Sequence, residues 1–346
     1  MNRSERLLSA FSEDYFFKEL VLDDLWFYPK ESTKIELADL IINLEDIIIA
    51  IQLKERNVSE QSYNDVIENK WLEKKCKEAK KQVKRTMQMI TSSALPKFQN
   101  KRGQCISLHS DSLIIPIVIF DNPQIKKYPH LLRKHSSEGM DINCMSFEDY
   151  REMCRTLISP IEIISYLDYR KRLYEENGEI DIMISDIAND EMIISRPTQC
   201  ESLVLNFLFQ TYGKETINKQ IPILHCFRSF LHELPQHTEN VYDKEIYKVL
   251  IFLAHMNRRE IVAFWEHLIS TMEFNKKEKK GIIHSLRRGD NEFAIIFVSG
   301  VILPISKILP LVFLKGEVKR ILEVAVYYVS EEEFVIDFLY WANICG

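Results

Sequence analysis

Residues 35–57, "IELADLIINLEDIIIAIQLKERN", decide how the fold is read. Two apolar, β-branched runs flank a polar break. This pattern predicts strands over 34–43 and 46–54, joined by a tight turn at Leu44–Glu45. Each run carries polar residues in its interior: Asp39 in the first, Gln52 and Lys54 in the second. With a period of two, Asp39 shares a face with Ile35, Leu37 and Ile41. Gln52 and Lys54 share a face with Asp46, Ile48 and Ala50. A hairpin then brings Asp39 beside the Gln52/Lys54 end. A pair of strands that only fills a core has no use for a carboxylate, an amide and an ammonium at one place. The plainer reading is an edge hairpin with polar ends, Asp39 capping a turn and Lys54 shielding an edge.

Outward from the hairpin, residues 5–27 are apolar at helical spacing through Leu8, Phe11, Tyr15, Phe16 and Leu20, which predicts a helix ended by Pro29. Residues 60–91 form the longest helical pattern, with Leu72, Cys76, Ala79, Val83, Met87 and Ile90 on one stripe. Strands are predicted at "CISLHS" (105–110), "LIIPIVIFD" (113–121) and "INCMS" (142–146). A helix starts at Phe147, with Ser146 and Asp149 supplying capping chemistry. A further helix spans 159–177, with Pro160 in its first turn. The order helix, hairpin, helix, strand, strand predicts an α/β arrangement with a mixed sheet. The acidic stretch 176–190 marks a boundary, giving domains 1–178 and 179–346. The second is predicted to be largely helical α+β, with helices over 200–275, strands in "NEFAIIFVSGVILP" and two closing helices.

Composition excludes several classes. With 46% hydrophobic and 28% charged residues, the 346-residue chain is that of a globular protein with a core. Seven cysteines form no CxxC pair, so neither a zinc framework nor a disulfide scaffold is indicated, and reduced cytoplasmic thiols are the simple expectation. "HELPQH" (232–237) sets its histidines five apart with Pro235 between, unlike a zinc-protease helix. His255 and His267 are expected to pack, not to ligate. No Gly-rich loop opens a helix and no GxSxG occurs, so nucleotide-cradling and nucleophile-elbow chemistry are absent. The apolar run 293–314 contains Lys307, Pro304 and Pro310, and reads as two buried strands, not a membrane span. The net charge is −6, yet residues 51–135 hold 17 Lys and Arg against 8 Asp and Glu. A basic segment in an acidic chain is a footprint for a polyanion.

The chemistry that wants Asp39, Gln52 and Lys54 together is metal-dependent phosphodiester hydrolysis. Mg²⁺ (or Mn²⁺) takes hard oxygen ligands, one or two of them carboxylates. Lys54 suits the handling of a water proton, because burial near a metal depresses its pKa. At these residues the stretch resembles the PD-(D/E)XK, or restriction-endonuclease-like, nuclease superfamily: "LADLII" supplies the aspartate, and Gln52-Leu53-Lys54 follows after twelve residues. The likeness runs over roughly residues 5–175. It departs from the common pattern in Ala38 before the aspartate and in Gln52 where glutamate is usual.

The resemblance implies a restriction-endonuclease-like mixed sheet flanked by helices, and hydrolysis of DNA or RNA, with DNA the first expectation. It implies Glu19, in "FFKELVLDD", as a helper metal ligand with Asp39 and Gln52. Glu36 ranks below Glu19, because strand alternation puts it on the face opposite Asp39. It also implies that the following basic helix meets nucleic acid through Lys74, Lys75, Lys81, Gln82 and Arg85. Trp71 and Tyr63 are expected as buried anchors more than as base-stacking platforms. A role in bacterial defence against foreign nucleic acid belongs to the same implication. The C-terminal half then stands as a sensor, oligomerisation or partner-binding domain. The rival reading keeps the fold but not the cutting: a nuclease-like module that binds nucleic acid or protein.

Overall fold

The computed structural model describes residues 3–28, 34–56, 64–92, 95–122, 125, 129, 131–133, 141–177, 199–233, 243–277, 281–287, 293–300, 320–330 and 333–342. The chain divides into two compact units, Met1–Ile217 and Asn218–Gly346. The division falls past residue 178 because the helix Gln199–Tyr212 packs on the helix Phe147–Thr156 of the first unit. The acidic stretch 178–190 itself lies outside the described residues.

The first unit opens with α1 (Arg3–Phe16), β1 (Val21–Leu22), β2 (Trp26–Phe27), β3 (Ile35–Glu36), β4 (Leu40–Asn43) and β5 (Ile47–Glu55). It continues with α2 (Asp65–Ser92), β6 (Phe98–Gln99), β7 (Cys105–Ile106), β8 (Leu113–Asp121), β9 (Leu131–Arg133) and β10 (Asp141–Ser146). Three helices complete it: α3 (Phe147–Thr156), α4 (Pro160–Asn177) and α5 (Gln199–Tyr212). Its centre is a six-stranded sheet in the order β1-β4-β5-β8-β10-β9. The β5–β8 and β8–β10 pairs are parallel and the others antiparallel, so the sheet is mixed as expected. Strand β5 lies third in the sheet and is buried from Ile47 to Lys54.

The predicted first helix stops eleven residues early. Phe17 takes a left-handed φ of 69°, which ends α1 at Phe16. The apolar run beyond it enters the sheet edge as β1, where Val21 pairs with Ile42. The predicted first hairpin strand is broken as well. Residues 35–36 pair with β2, and only 40–43 join the main sheet. The break at Leu37–Asp39 has a cause in distant partners. Leu37 N–H donates to Leu25 O at 2.9 Å, and its carbonyl accepts from Thr86 Oγ1 of α2 at 2.5 Å.

Helix α2 lays the predicted stripe on the sheet. Leu72, Ala79 and Val83 pack in one cluster with Val118, Phe120 and Cys144, and Cys76 and Met87 lie at its margin. Trp71 meets Phe120 edge-on, with ring centroids 6.4 Å apart, as an anchor should; Tyr63 is outside the described residues. Helix α3 begins at a capping box. Ser146 Oγ accepts from Asp149 N–H at 3.0 Å, and Asp149 Oδ2 accepts from Ser146 N–H. Ser146→Ala is therefore expected to lower stability by ~1 kcal/mol in urea unfolding, with no change in secondary-structure content.

The second unit takes in the later part of α6 (Lys214–Glu233), then α7 (Asp243–Ala254), α8 (Arg258–Asn275), β11 (Gly281–Arg287), β12 (Phe293–Ser299), β13 (Arg320–Ser330) and β14 (Glu333–Ala342). Its sheet has the order β11-β12-β13-β14, with β12 and β13 parallel. The two closing helices predicted from the sequence are strands, paired from Arg320↔Ala342 to Ser330↔Glu333. The first third of the 293–314 run is β12; residues 301–314 are not described. No helix among the described residues is long and apolar enough to cross a membrane. His255 bonds its own helix through Nδ1 and Ile251 O at 2.8 Å, and His267 packs on Phe297, so both serve packing. Pro235 and His237 lie outside the described residues. Cys76, Cys105, Cys144, Cys154 and Cys226 form no disulfide.

Candidate active site

The β4–β5 turn sits one residue later than predicted, and that shift builds the site. Leu44 N–H donates to Ile47 O at 2.8 Å, leaving Glu45 and Asp46 as the turn, with Glu45 at φ 67°. The register is then Leu40↔Ile51, and Asp39 stands one step further, level with Gln52. Asp39 Oδ2 accepts the Leu53 backbone N–H at 2.6 Å, tying the carboxylate to the neighbouring strand. In β5, Gln52 and Lys54 alternate with Leu53 and so point to one face. Their parallel neighbours in β8 are Val118 and Phe120, which pack under α2. Gln52 and Lys54 are therefore on the α2 side, both buried.

Lys54 Nζ donates to Leu53 O at 3.0 Å. Burial pushes its pKa below the usual lysine range; Asp39 opposes that shift, and Lys75 of α2 adds to it. Asp39 moves the other way. Burial raises its pKa, Lys54 and the Leu53 N–H hold it down, and Glu5 raises it again. Glu36 is pushed up to about 7, first by desolvation, then by Asp39 and Glu5. Three carboxylates on α1, β3 and the start of β4 thus feel one another beside one lysine. A site whose carboxyls are pushed toward neutrality is short of positive charge.

Glu36 therefore belongs to the site, against the strand-parity argument. Parity requires an unbroken strand, and the break at Leu37–Asp39 cancels it. Glu19 is not brought to Asp39. It lies in the turn after α1, with its Oε1 2.8 Å from Arg102 Nε and its carbonyl accepting from Asn100 Nδ2 at 3.0 Å. Its neighbour Leu20 bonds Asn43, at the far end of β4 from Asp39. Four residues of strand separate the two, about 13 Å at ~3.4 Å per residue. The acid that the preceding helix does offer is Glu5, in the first turn of α1. Only its position before the hairpin could have signalled it.

The predicted nucleic-acid residues of α2 fall into two groups. Gln82 and Arg85 line a cavity of about 230 Å³ together with Glu36, Gln52 and Thr86. Lys74 and Lys81 line a shallow outer groove with Lys70, Lys77, Glu73 and Glu78, four cations against two carboxylates. Lys75 stands between them, close enough to act on Lys54 and paired with Glu78 at 2.6 Å. One helix thus offers an amide and a guanidinium to the inner cavity, and ammonium groups to its outer side.

Among the described residues, no three acidic, histidine or cysteine side chains are grouped to hold an ion by themselves. The donor set here is mixed: Asp39 and the Gln52 amide, with Glu36 and Glu5 behind them. It is all oxygen, and only Asp39 of its carboxylates stands level with the Gln52 amide. That chemistry fits Mg²⁺ or Mn²⁺, which retain waters and substrate oxygens, and does not fit a zinc cage. No protein-family model, curated protein or solved structure matches the chain.

Proposed function

We propose that the first unit is a metal-dependent nuclease of the PD-(D/E)XK type, hydrolysing phosphodiester bonds of DNA. The observation that carries this reading is the register that sets Asp39 level with Gln52 and beside Lys54, on the sheet face that the basic helix α2 covers. Glu5 on the preceding helix, in place of the expected Glu19, and Gln82 on the following one supply the acid and the amide that this reading asks of the flanking helices. Asp39 and Gln52 would hold the divalent ion, and Glu36 and Glu5 would add negative charge near it. A bound Mg²⁺ supplies positive charge for the phosphate and acidifies a water. The chain's own residues do the rest. Lys54, with its depressed pKa, takes the proton of the attacking water at Nζ as the free amine. Once charged, it faces the negative charge that builds on the phosphate. Leu53 O fixes the position of that Nζ, and Arg85 and the lysines of α2 hold the flanking phosphates.

Binding without cutting is the second reading, and Gln52 favours it, because an amide gives the ion one negative charge fewer than glutamate. The test is cleavage of plasmid, single-stranded DNA and RNA by the full chain with Mg²⁺ or Mn²⁺. The native chain is expected to cut DNA and Asp39→Ala to lose at least ~10²-fold in rate. Calorimetry with Mn²⁺ separates the readings: nucleic-acid binding with neither Mn²⁺ heat nor cleavage assigns a binding module, and equal cutting by both proteins removes Asp39 from the site.

A further inference from the structure

The cavity beside Asp39 has an aromatic wall that the hydrolytic chemistry does not use. Trp26 of β2 pairs across the ribbon with Glu36 of β3. Cross-strand partners share a face, so the indole lies on the same side as the Glu36 carboxylate. It is 39% exposed, unusual for so large a ring, and lines the cavity with Gln52, Gln82 and Arg85. Lys34, two residues before Glu36 and on the same face, holds its Nζ 4.3 Å from the ring centroid. A π-face covered by one mobile cation, with two amides and a guanidinium around it, is a stacking platform with polar groups for a ring edge.

We infer that Trp26 stacks one unpaired nucleobase next to the phosphate held at Asp39, with Lys34 displaced from the ring onto the strand's backbone, so that the substrate is single-stranded or locally opened nucleic acid. This rests on the nuclease reading for the phosphate position. A base inside an intact duplex keeps its neighbours on both faces and does not reach a ring beside its own backbone; an extruded or single-stranded base does. The Gln82 amide satisfies the base edge in the cavity, and Arg85 takes the next phosphate. The basic outer groove of α2 carries the strand onward.

The test measures binding of the full chain to a labelled oligothymidylate and to a duplex of equal length, in EDTA and low salt so that nothing is cut. Trp26→Ala is expected to weaken single-strand binding about tenfold, and Trp26→Phe to keep it within about threefold. Duplex affinity is expected to stay level across all three proteins. Equal single-strand affinity for native and Trp26→Ala protein overturns the proposal. So does a parallel loss on duplex, or a native chain that binds neither. The nuclease reading fails separately: if Trp26 governs single-strand binding but the native chain never cuts with Mg²⁺ or Mn²⁺, the base subsite stands and the chemistry does not.

Discussion

Lys54→Met is expected to cut DNA at least ~10³-fold more slowly than the native chain in Mg²⁺, within the range for loss of a positioned proton-transfer group. Methionine matches the unbranched stem that crosses the buried end of β5, so the loss is chemical, not structural. Lys54→Arg divides the two tasks given to the residue. Arginine keeps the charge but does not release its proton, so recovery by arginine would assign an electrostatic role alone.

The pH dependence follows from the same neighbours. Burial lowers the Lys54 pKa, so the free amine appears as pH rises. Asp39 is raised, and Glu36 sits at about 7, so both carboxylates also form as pH rises. All three groups make the native rate climb as pH rises through the neutral range, where Glu36 titrates at about 7. In Lys54→Met the residual rate still climbs, but at higher pH, because the cation that lowered both acids is gone. Rates measured across that range check the point. An unchanged midpoint in the variant would falsify the coupling of Lys54 to the two acids.

The parts of this site that were legible before the structure are those written in local pattern. The β5 run, the "LIIPIVIFD" strand and the α2 stripe each carry one period over many residues. Gln52 and Lys54 ride on the first of them, and Asp39 lies one residue before the strand that pairs with it. What misled was written in distant partners. Nothing in "IELADL" announces that Leu37 will bond Leu25 and Thr86, yet those bonds break the strand and swing Glu36 to the site. Glu19 fitted a helix that Phe17 ends, and its carboxylate is taken by Arg102, 83 residues away in sequence. Arg320–Ser330 and Glu333–Ala342 are apolar enough for either period, and only their mutual pairing decides for strands.

Glu68→Ala should cost about 2 kcal/mol at pH 7, the largest stability loss expected of a polar side chain near the site. Glu68 is buried in the first turn of α2. Arg56 Nη2 donates to its Oε1 at 2.8 Å, Arg56 Nε sits 2.7 Å from Oε2, and Asn122 Nδ2 donates to Oε2 at 2.7 Å. Arg56 and Asn122 directly follow β5 and β8, so this one carboxylate ties the start of α2 to the ends of both central strands. Alanine strands two donors where little water reaches. The cost stays below the ~3–5 kcal/mol of a fully buried pair because a quarter of the Arg56 side chain remains in water. Arg56 and Asn122 hold the Glu68 carboxyl below its usual range, so its contribution is present above the unfolded carboxylate pKa and vanishes as pH falls through the folded one. Urea unfolding of the native chain and Glu68→Ala should therefore differ by a wide margin at pH 7 and converge as pH falls below the usual carboxylate range. Equal midpoints at pH 7 would remove Glu68 as the tie. If the margin appears, Glu68→Ala should also cut more slowly, since Lys54 lies two residues before Arg56 and is positioned by the same strand end.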